Sequence, residues 1–295
     1  MMRQALQDTC FSPRQTLRCG HGRLLDLRQP RVMGILNLTP DSFFAGNRIG
    51  TADELLRRAE QMLRAGAAVL DLGGYSSRPG AEHISADEEK KRVLPAVEAV
   101  RQAFPDAVIS VDTFRAAVAA EAVAAGADLL NDISGGTLDE DMFATVGRLG
   151  VPYILMHMRG TPQTMTQLTQ YEGDLVLELV RYFRDKLAEL RHHGVVDVVL
   201  DPGFGFAKTP AQGHELLRRL RELHVLGLPI LVGLSRKSMV YKPLGLTPEA
   251  ALAGTITVNT LAVLNGARLL RVHDVAEAVQ TIQLVSNTYP LPYSS

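Results

Sequence analysis

The sequence predicts a single α/β domain built as a (β/α)8 TIM barrel with an N-terminal β-hairpin extension. Three observations support this fold. The chain of 295 residues is 46% hydrophobic but only 5% aromatic, which is typical of parallel sheets covered by helices. Eight short runs of Val, Ile and Leu are each followed by a longer stretch with helical spacing. Glycines stand where several of the predicted helices end.

The eight runs are the predicted barrel strands. They cover residues 32–37, 69–73, 108–112, 128–132, 153–157, 198–201, 230–235 and 269–273. The helix-end glycines are Gly66, Gly126, Gly150, Gly194 and Gly266. The alternative is a doubly wound open sheet. No Gly-x-Gly-x-x-Gly turn follows the first run, and one open sheet of eight parallel strands would be large, so the barrel is favoured.

The domain boundaries follow from the same pattern. No linker-like stretch divides the chain, so we expect one domain over residues 1–295, with a barrel at 32–287 and a tail at 288–295. In the extension at 1–31, residues 16–19 and 23–27 flank Gly20-His21-Gly22. They are expected to form a hairpin that plugs the N-terminal mouth of the barrel.

Charge and cysteine content exclude several classes of partner. The chain has 31 basic and 32 acidic residues and a formal net charge of −1, so nucleic acid and anionic membranes are not expected partners. No stretch has the length of a signal peptide or a membrane span. Two cysteines, Cys10 and Cys19, lie close together near the start and predict a reduced cytoplasmic protein rather than a disulfide framework.

Polar residues stand where the predicted strands end. They are Asn37, Asp71, Asp112, Asn131, Asp132, His157, Asp201, Ser235, Arg236, Lys237, Arg271 and His273. Because the carboxyl ends of barrel strands surround one mouth, these residues are expected to share one cavity. Some members have a simpler explanation, since Asp132 is expected to tie down a turn and Asp71 to cap the loop that follows it.

The same strand ends offer groups that bind phosphate. The loop at 73–80 contains glycines, hydroxyls and Arg78. Lys237 follows the seventh strand and Arg271 stands at the end of the eighth, and the loops after these two strands form the usual phosphate site of this fold. Arg271 and His273 should face the same side because strand side chains alternate. No ligand spacing predicts a transition metal. Mg²⁺ brought in on pyrophosphate, with Asn37 as a protein ligand, is favoured instead.

Several motifs together resemble the dihydropteroate synthase family. The resemblance covers residues 16 to 285 in register, and the motifs stand at residues 33–43, 73–81, 110–113, 131–133, 155–158, 200–206, 233–238 and 271–275. It implies a transferase of folate biosynthesis that joins 6-hydroxymethyl-7,8-dihydropterin pyrophosphate to p-aminobenzoate and releases pyrophosphate. It also implies a homodimer and competition of sulfonamides with p-aminobenzoate.

The resemblance implies a role for each matched residue. Asp112, Asp201 and Lys237 are the implied catalytic residues. The implied pterin-binding residues are Asp112, Asn131, Met156, Asp201 and Lys237. The implied pyrophosphate-binding residues are Ser77, Arg78, Arg271 and His273, with Asn37 as metal ligand. The implied p-aminobenzoate-binding residues are Phe43, Ser77, Pro79, Gly205, Phe206 and Ser235.

Three positions depart from the family pattern. The family commonly has Asp where Ala45 stands, Glu where Tyr75 stands and Thr where Ser77 stands. Ala45 removes a first-loop carboxylate that is expected to cover the cationic pterin, whereas Tyr75 is expected to be peripheral. Two alternatives therefore remain open. One is a pterin-binding paralogue without turnover, and the other is a pterin-dependent methyltransferase barrel, which would not need the Lys237 and Arg271 anion groups.

Overall fold

The computed structural model of the chain describes residues 15–38, 48–76 and 83–289. In these ranges a short antiparallel hairpin, β1 (Thr16–Arg18) and β2 (Leu24–Asp26), precedes eight parallel strands. The parallel strands are β3 (Arg31–Asn37), β4 (Val69–Gly73), β5 (Val108–Asp112), β6 (Leu129–Asp132), β7 (Tyr153–Met156), β8 (Val198–Asp201), β9 (Leu231–Val232) and β10 (Leu269–Val272).

Helices follow the strands along the chain. They are α1 (Arg48–Arg64), α2 (Ala86–Ala103), α3 (Ala116–Ala124), α4 (Met142–Leu149), α5 (Leu175–His192), α6 (Pro210–Arg218), α7 (Ser238–Tyr241), α8 (Leu252–Leu264) and α9 (Val275–Thr288). Local chemistry sets some of their starts. The Ser85 side chain caps α2, and Thr209 and Gln212 form a capping box at α6. The five predicted helix-end glycines all have positive φ, as expected.

The strand order shows that the sheet closes on itself. The order is β8-β7-β6-β5-β4-β3-β10-β9, and Leu200 of β8 forms a parallel bridge to Ile230, directly before β9. The two edges of the sheet therefore meet. The barrel prediction is confirmed and the doubly wound open sheet is excluded.

One predicted strand is much shorter than expected. The run at 230–235 forms regular strand only at Leu231–Val232. The chain turns beyond it: the Lys237 amide donates to the Leu234 carbonyl, and Arg236 takes a left-handed φ of 56°. This turn leads directly into α7. Ser235 and Lys237 consequently lie on a tight turn rather than on a strand.

Side-chain alternation divides the barrel interior from its helix-covered exterior. Residues such as Leu70, Leu130 and Val232 belong to the cluster that packs beneath the helices. The opposite face contributes an apolar layer that we call the barrel floor: Met33, Val69, Leu129, Ile154, Val199, Leu231 and Leu269. Period-two alternation thus supplies both surfaces from the same strands.

The N-terminal hairpin seals the floor. Leu17, Leu25 and Leu27 are almost fully buried in the same cluster as the floor residues. The Gly20 amide donates to the Asp128 carbonyl at 2.8 Å, and Arg23 Nη1 lies 3.0 Å from Asp128 Oδ1. The expected plug is therefore present, and it closes the N-terminal end of the barrel to solvent.

Candidate functional site

A polar layer lies directly above the barrel floor. Asp71, Asn131, Asp201 and Arg271 each stand two residues beyond a floor residue on their strand, so their side chains face the same interior. Strand register aligns the layer further, since Asp112 pairs with Asn131 and Met156 pairs with Asp201. The structure therefore brings together the predicted pterin-binding residues of four strands, Asp112, Asn131, Met156 and Asp201, at the C-terminal mouth.

Arg271 holds the two carboxylates on one side of this layer. Its Nε lies 2.6 Å from Asp71 Oδ2, and its Nη2 lies 2.6 Å from Asp112 Oδ2. Asp71 is fully buried, whereas about a fifth of the Arg271 side chain is exposed. Burial raises the pKa of Asp112, an effect that Arg271 opposes. The guanidinium thus contacts carboxylate oxygens that are also candidate acceptors for a substrate N–H group.

Asp201 and Lys237 lie on the other side of the layer. Asp201 Oδ1 accepts from the Gly203 amide at 2.8 Å. Lys237 donates to the Phe204 carbonyl, and its Nζ lies 4.7 Å from the centre of the Phe206 ring. Burial raises the pKa of Asp201 and lowers that of Lys237 to about 8, while each group partly offsets the shift of the other.

The turn after β8 carries Gly205 and Phe206 beside this pair. Gly203 has a φ of 69°, and a Cβ atom there would lie 2.0 Å from the His157 carbonyl oxygen, so the position requires glycine. Gly205 and Phe206 are both half-buried. The turn therefore joins Asp201, predicted to bind the pterin, to Gly205 and Phe206, two of the three described residues predicted to bind p-aminobenzoate.

Lys208 is a buried cation that sequence reasoning missed. Its Nζ donates to the carbonyls of Gly203 and Phe206, each at 3.2 Å, and lies 2.9 Å from His157 Nδ1. Burial lowers the pKa of Lys208 to about 7 and holds that of His157 well below its usual value, with Lys208 adding to the second effect. The sequence offered one signal for this role, because Lys208 directly follows the glycine-containing segment at 203–207.

His157 does not join the polar layer, contrary to expectation. It stands one residue beyond Met156 and is buried behind the sheet, where its ring packs edge-on against Tyr182. The physical reason is strand parity, which sends residue 156 inward and residue 157 outward.

The predicted turn role of Asp132 is confirmed, since its carboxylate accepts from the Ser134 and Gly136 amides. Among the described residues, the Asp71 carboxylate accepts from Ser110, Asn131 and Arg271 rather than capping the loop that follows it.

Ser235 and His273 meet at the rim of the mouth. Ser235 Oγ accepts from the His273 amide at 3.4 Å and lies 3.2 Å from His273 Nδ1. His273 is exposed, in agreement with a role toward an incoming anion. Arg236 points elsewhere, because it forms a two-contact ion pair with Asp274 at 2.7 and 3.0 Å.

Tyr75, one of the departures from the family pattern, is a packing residue. Its hydroxyl accepts from Gln163 Nε2 at 2.9 Å and lies 3.3 Å from His83 Nδ1. Its ring packs edge-on against Phe114. These contacts join the ends of neighbouring loops around the mouth rather than entering the polar layer.

Some predicted site residues lie outside the described ranges. They are Phe43, Ser77, Arg78 and Pro79, together with the departure at Ala45. Asn37, at the end of β3, is described and half-buried.

Within the described ranges, no cluster of three or more His, Cys, Asp or Glu side chains is arranged to hold a metal ion by itself. No helix in those ranges is long and apolar enough to cross a membrane.

Comparison with known proteins places the chain among enzymes of one activity. The family described as pterin binding enzyme matches residues 33–273. The dihydropteroate synthase of Synechocystis is 46% identical over 252 residues, covering 84% of this chain and 86% of that protein. The Escherichia coli K12 enzyme is 41% identical over 269 residues, covering 90% and 94%.

Solved structures agree with the sequence matches. A Yersinia pestis dihydropteroate synthase with a sulfonamide drug complex is 43% identical, with a TM-score of 0.85 over 91% of this chain and 98% of that one. A Xanthomonas albilineans dihydropteroate synthase with 4-aminobenzoic acid is 38% identical, with a TM-score of 0.86 over 94% and 99%. Sequence and fold thus agree over most of both chains, and the chain belongs to the dihydropteroate synthases within the pterin-binding enzyme family.

Proposed function

We propose that this chain condenses 6-hydroxymethyl-7,8-dihydropterin pyrophosphate with p-aminobenzoate, giving 7,8-dihydropteroate and pyrophosphate. The observation that carries this proposal is the polar layer, where the carboxylates of Asp112 and Asp201 face the cations of Arg271 and Lys237 above a sealed apolar floor. Related structures support the substrate class, since they hold a sulfonamide, 4-aminobenzoic acid or pteroic acid.

The pterin is proposed to lie in the polar layer. Its amino and ring N–H groups need acceptors, which the carboxylates of Asp112 and Asp201 and the amide of Asn131 supply. Lys237 supplies a donor for the pterin ring oxygen or nitrogen, and Met156, which is 2% exposed, offers an apolar surface. The pterin N–H groups are proposed to compete with Arg271 for Asp112, whose Oδ2 accepts from the guanidinium.

The bond changes proposed for the reaction explain the charge pattern. The amine of p-aminobenzoate forms a C–N bond at the pterin methylene carbon, and the C–O bond to pyrophosphate breaks with its electron pair leaving on pyrophosphate. The amine nitrogen then loses one proton, which the released pyrophosphate or water accepts. Positive charge that develops on the pterin is stabilised by Asp112 and Asp201, while Arg271 and His273 stabilise the leaving anion. Ser77 and Arg78 are proposed to assist on the pyrophosphate side.

The p-aminobenzoate pocket is proposed beside the pyrophosphate site. Gly205, Phe206 and Ser235 form its described wall, with Phe43, Ser77 and Pro79 as the proposed residues of the two facing loops. The contact of Lys237 with the Phe206 ring connects this wall to the pterin side. An aryl amine placed here lies next to the methylene carbon, which is the proximity that the substitution requires.

Mg²⁺ is the proposed cofactor, and Asn37 is its proposed protein ligand. An amide oxygen suits this hard cation, which usually keeps several waters and takes one or two protein oxygens plus substrate phosphates. The half-buried Asn37 at the mouth fits that donor set. When bound, the ion neutralises charge on the leaving pyrophosphate.

We also propose a homodimer in the cytoplasm. Leu284 is 68% exposed and Tyr289 is 54% exposed, beside a hollow of about 340 Å³ between α8 and α9. Exposed apolar surface of this kind is typical of a subunit contact.

The cytoplasmic location is supported by Cys19, which is a buried free thiol. Burial raises the pKa of this thiol to about 12, in keeping with a reducing compartment.

The activity is tested by following pyrophosphate release from the pterin substrate with and without p-aminobenzoate. Asp201→Asn should lower kcat by about 100-fold or more, because an amide cannot stabilise positive charge on the pterin. The matched control is Asp197→Asn, at the opposite end of the same strand, where it contacts Arg18 rather than the site. It should keep a near-wild-type rate.

The assay also separates the alternatives. A pterin-binding paralogue would bind the substrate and release no pyrophosphate, and a methyltransferase barrel would not respond to p-aminobenzoate. A folded Asp201→Asn variant with the wild-type rate would contradict the site assignment.

The Lys237 ammonium should set the alkaline limit of the reaction. Its pKa of about 8 means that the positive charge is present below that pH and is lost as pH rises through it. The kcat/KM for the pterin substrate should therefore fall above pH 8. In Lys237→Arg, whatever its rate, the fall should move to higher pH because a guanidinium keeps its proton. An unmoved limit would assign the titration to another group, such as Lys208.

The magnesium proposal predicts a selective change in Asn37→Ala. Chelation of divalent ions should stop pyrophosphate release in the wild-type enzyme. The variant should need about tenfold more Mg²⁺ for half-maximal rate, because one ligand is missing, yet should approach the wild-type kcat at saturating Mg²⁺. The same Mg²⁺ requirement in both proteins would remove Asn37 as a ligand.

The dimer proposal predicts that Leu284→Glu yields monomers in sedimentation velocity experiments, because it buries a charge in the contact. Leu177→Glu, on the exposed surface of α5, is the control and should leave the dimer intact. A monomeric wild-type protein at micromolar concentration, or a dimeric Leu284→Glu variant, would show that this face is not the contact.

A further inference from the structure

Asp71 is a buried carboxylate at the centre of the polar layer that the proposed mechanism does not use. It is fully buried on β4 and contacts side chains from three other strands. Oδ1 accepts from Ser110 Oγ at 2.6 Å, and Oδ2 accepts from Asn131 Nδ2 at 3.2 Å and from Arg271 Nε at 2.6 Å. Two of its three partners are therefore residues that the proposed function assigns to substrate binding.

The contact with Asn131 determines which end of that amide meets the substrate. An ionised carboxylate only accepts hydrogen bonds, so the Asn131 NH₂ group must face Asp71 and its oxygen must point to the other side. A reversed amide would place the Asn131 oxygen against the Asp71 carboxylate oxygen, and neither atom could donate a hydrogen bond to the other. Asp71 thereby selects the acceptor orientation that a pterin N–H group requires.

The contact with Arg271 is the one that can persist when substrate binds. Arg271 uses Nε toward Asp71 and Nη2 toward Asp112, so its guanidinium is held at two points. Pterin N–H groups compete with the guanidinium for Asp112, so the second point is the one that substrate can displace. Asp71 remains to keep the guanidinium beside the leaving pyrophosphate, since it is fully buried and lies in register with Ser110, two residues below Asp112.

We propose that Asp71 is a positioning residue for the transfer reaction, which orients the Asn131 amide for the pterin and tethers Arg271 for the pyrophosphate. The proposal rests on the proposed function for the identity of the two ligands. Asp71 acts through its neighbours and is not placed in contact with substrate. Its loss should therefore affect the pterin substrate more than p-aminobenzoate.

The test compares Asp71→Asn with Ser110→Ala in the full-length enzyme. Ser110→Ala removes one hydrogen bond of Asp71 but leaves those to Asn131 and Arg271. Asp71→Asn should weaken calorimetric binding of 6-hydroxymethyl-7,8-dihydropterin by about tenfold or more, the effect of losing a hydrogen bond to a charged group. It should also lower kcat while the KM for p-aminobenzoate changes less than about threefold. Ser110→Ala should stay within about threefold of wild type throughout.

A rescue variant separates orientation from general damage. In Asp71→Asn/Asn131→Asp the donor and acceptor of the 71–131 hydrogen bond exchange places, the number of charges is unchanged, and residue 131 offers an acceptor in either rotamer. The exchange restores the orientation at residue 131 but not the tether to Arg271, because Asp71 Oδ2 accepts from both Asn131 and Arg271 and an NH₂ group in its place cannot accept from the guanidinium. This double variant should recover at least part of the pterin affinity lost in Asp71→Asn. Because its charge is balanced, it also serves if Asp71→Asn alone does not fold.

Several outcomes would overturn the proposal. Wild-type pterin affinity in Asp71→Asn, equal losses in Asp71→Asn and Ser110→Ala, or a folded double variant without recovery would each do so. Failure of the proposed function is distinguishable, because it would appear as absence of p-aminobenzoate-dependent pyrophosphate release in the wild-type enzyme.

Discussion

The alternation of side chains along eight parallel strands is the constraint on which the rest of this structure depends. Each strand sends one residue inward and the next outward, so the barrel has an apolar floor and a polar layer only two residues apart. Val69 and Asp71 show the change on one strand, and Leu129 and Asn131 show it on another. The hairpin then excludes water from below, which leaves the polar layer accessible from the C-terminal mouth.

Burial of this polar layer has an electrostatic cost that pairing between its own side chains reduces. Arg271 lies between Asp71 and Asp112 and contacts both carboxylates. Asp201 and Lys237 carry opposite charges, and each stabilises the charged form of the other. The shifted pKa values of Asp201 and Lys237 show that the pairing does not remove the cost entirely. Substrate groups that replace these pairs with better-matched ones can therefore bind without first stripping water from isolated charges.

The turn after β8 shows how a structural cation can support a functional loop. The buried Lys208 donates to two backbone carbonyls of the turn. Other backbone groups of the same turn form hydrogen bonds with Asp201 and Lys237. The pterin side and the p-aminobenzoate side of the proposed site therefore share one hydrogen-bonded segment. Gly203 makes this arrangement possible, because any side chain there would collide with the His157 carbonyl.

Sequence alone determined the fold class, the eight strand positions and the clustering of polar residues at one mouth, because hydrophobic periodicity and helix-end glycines are local signals. The motif resemblance also selected the family, which the comparisons confirmed. The strand-end pattern did not separate neighbours such as Met156 and His157, since both are compatible with a strand end until the register of the strand is known, although the resemblance assigned the pterin role to Met156.

Tertiary structure decided which polar residues touch one another. Asp71 contacts a serine, an asparagine and an arginine from three other strands, at separations of 39, 60 and 200 residues. Lys208 contacts His157 across 51 residues. Such contacts depend on barrel closure and strand register, which are global properties that no local pattern encodes. For this reason the sequence identified the chemistry available at the mouth, and only the folded barrel showed how those groups are paired.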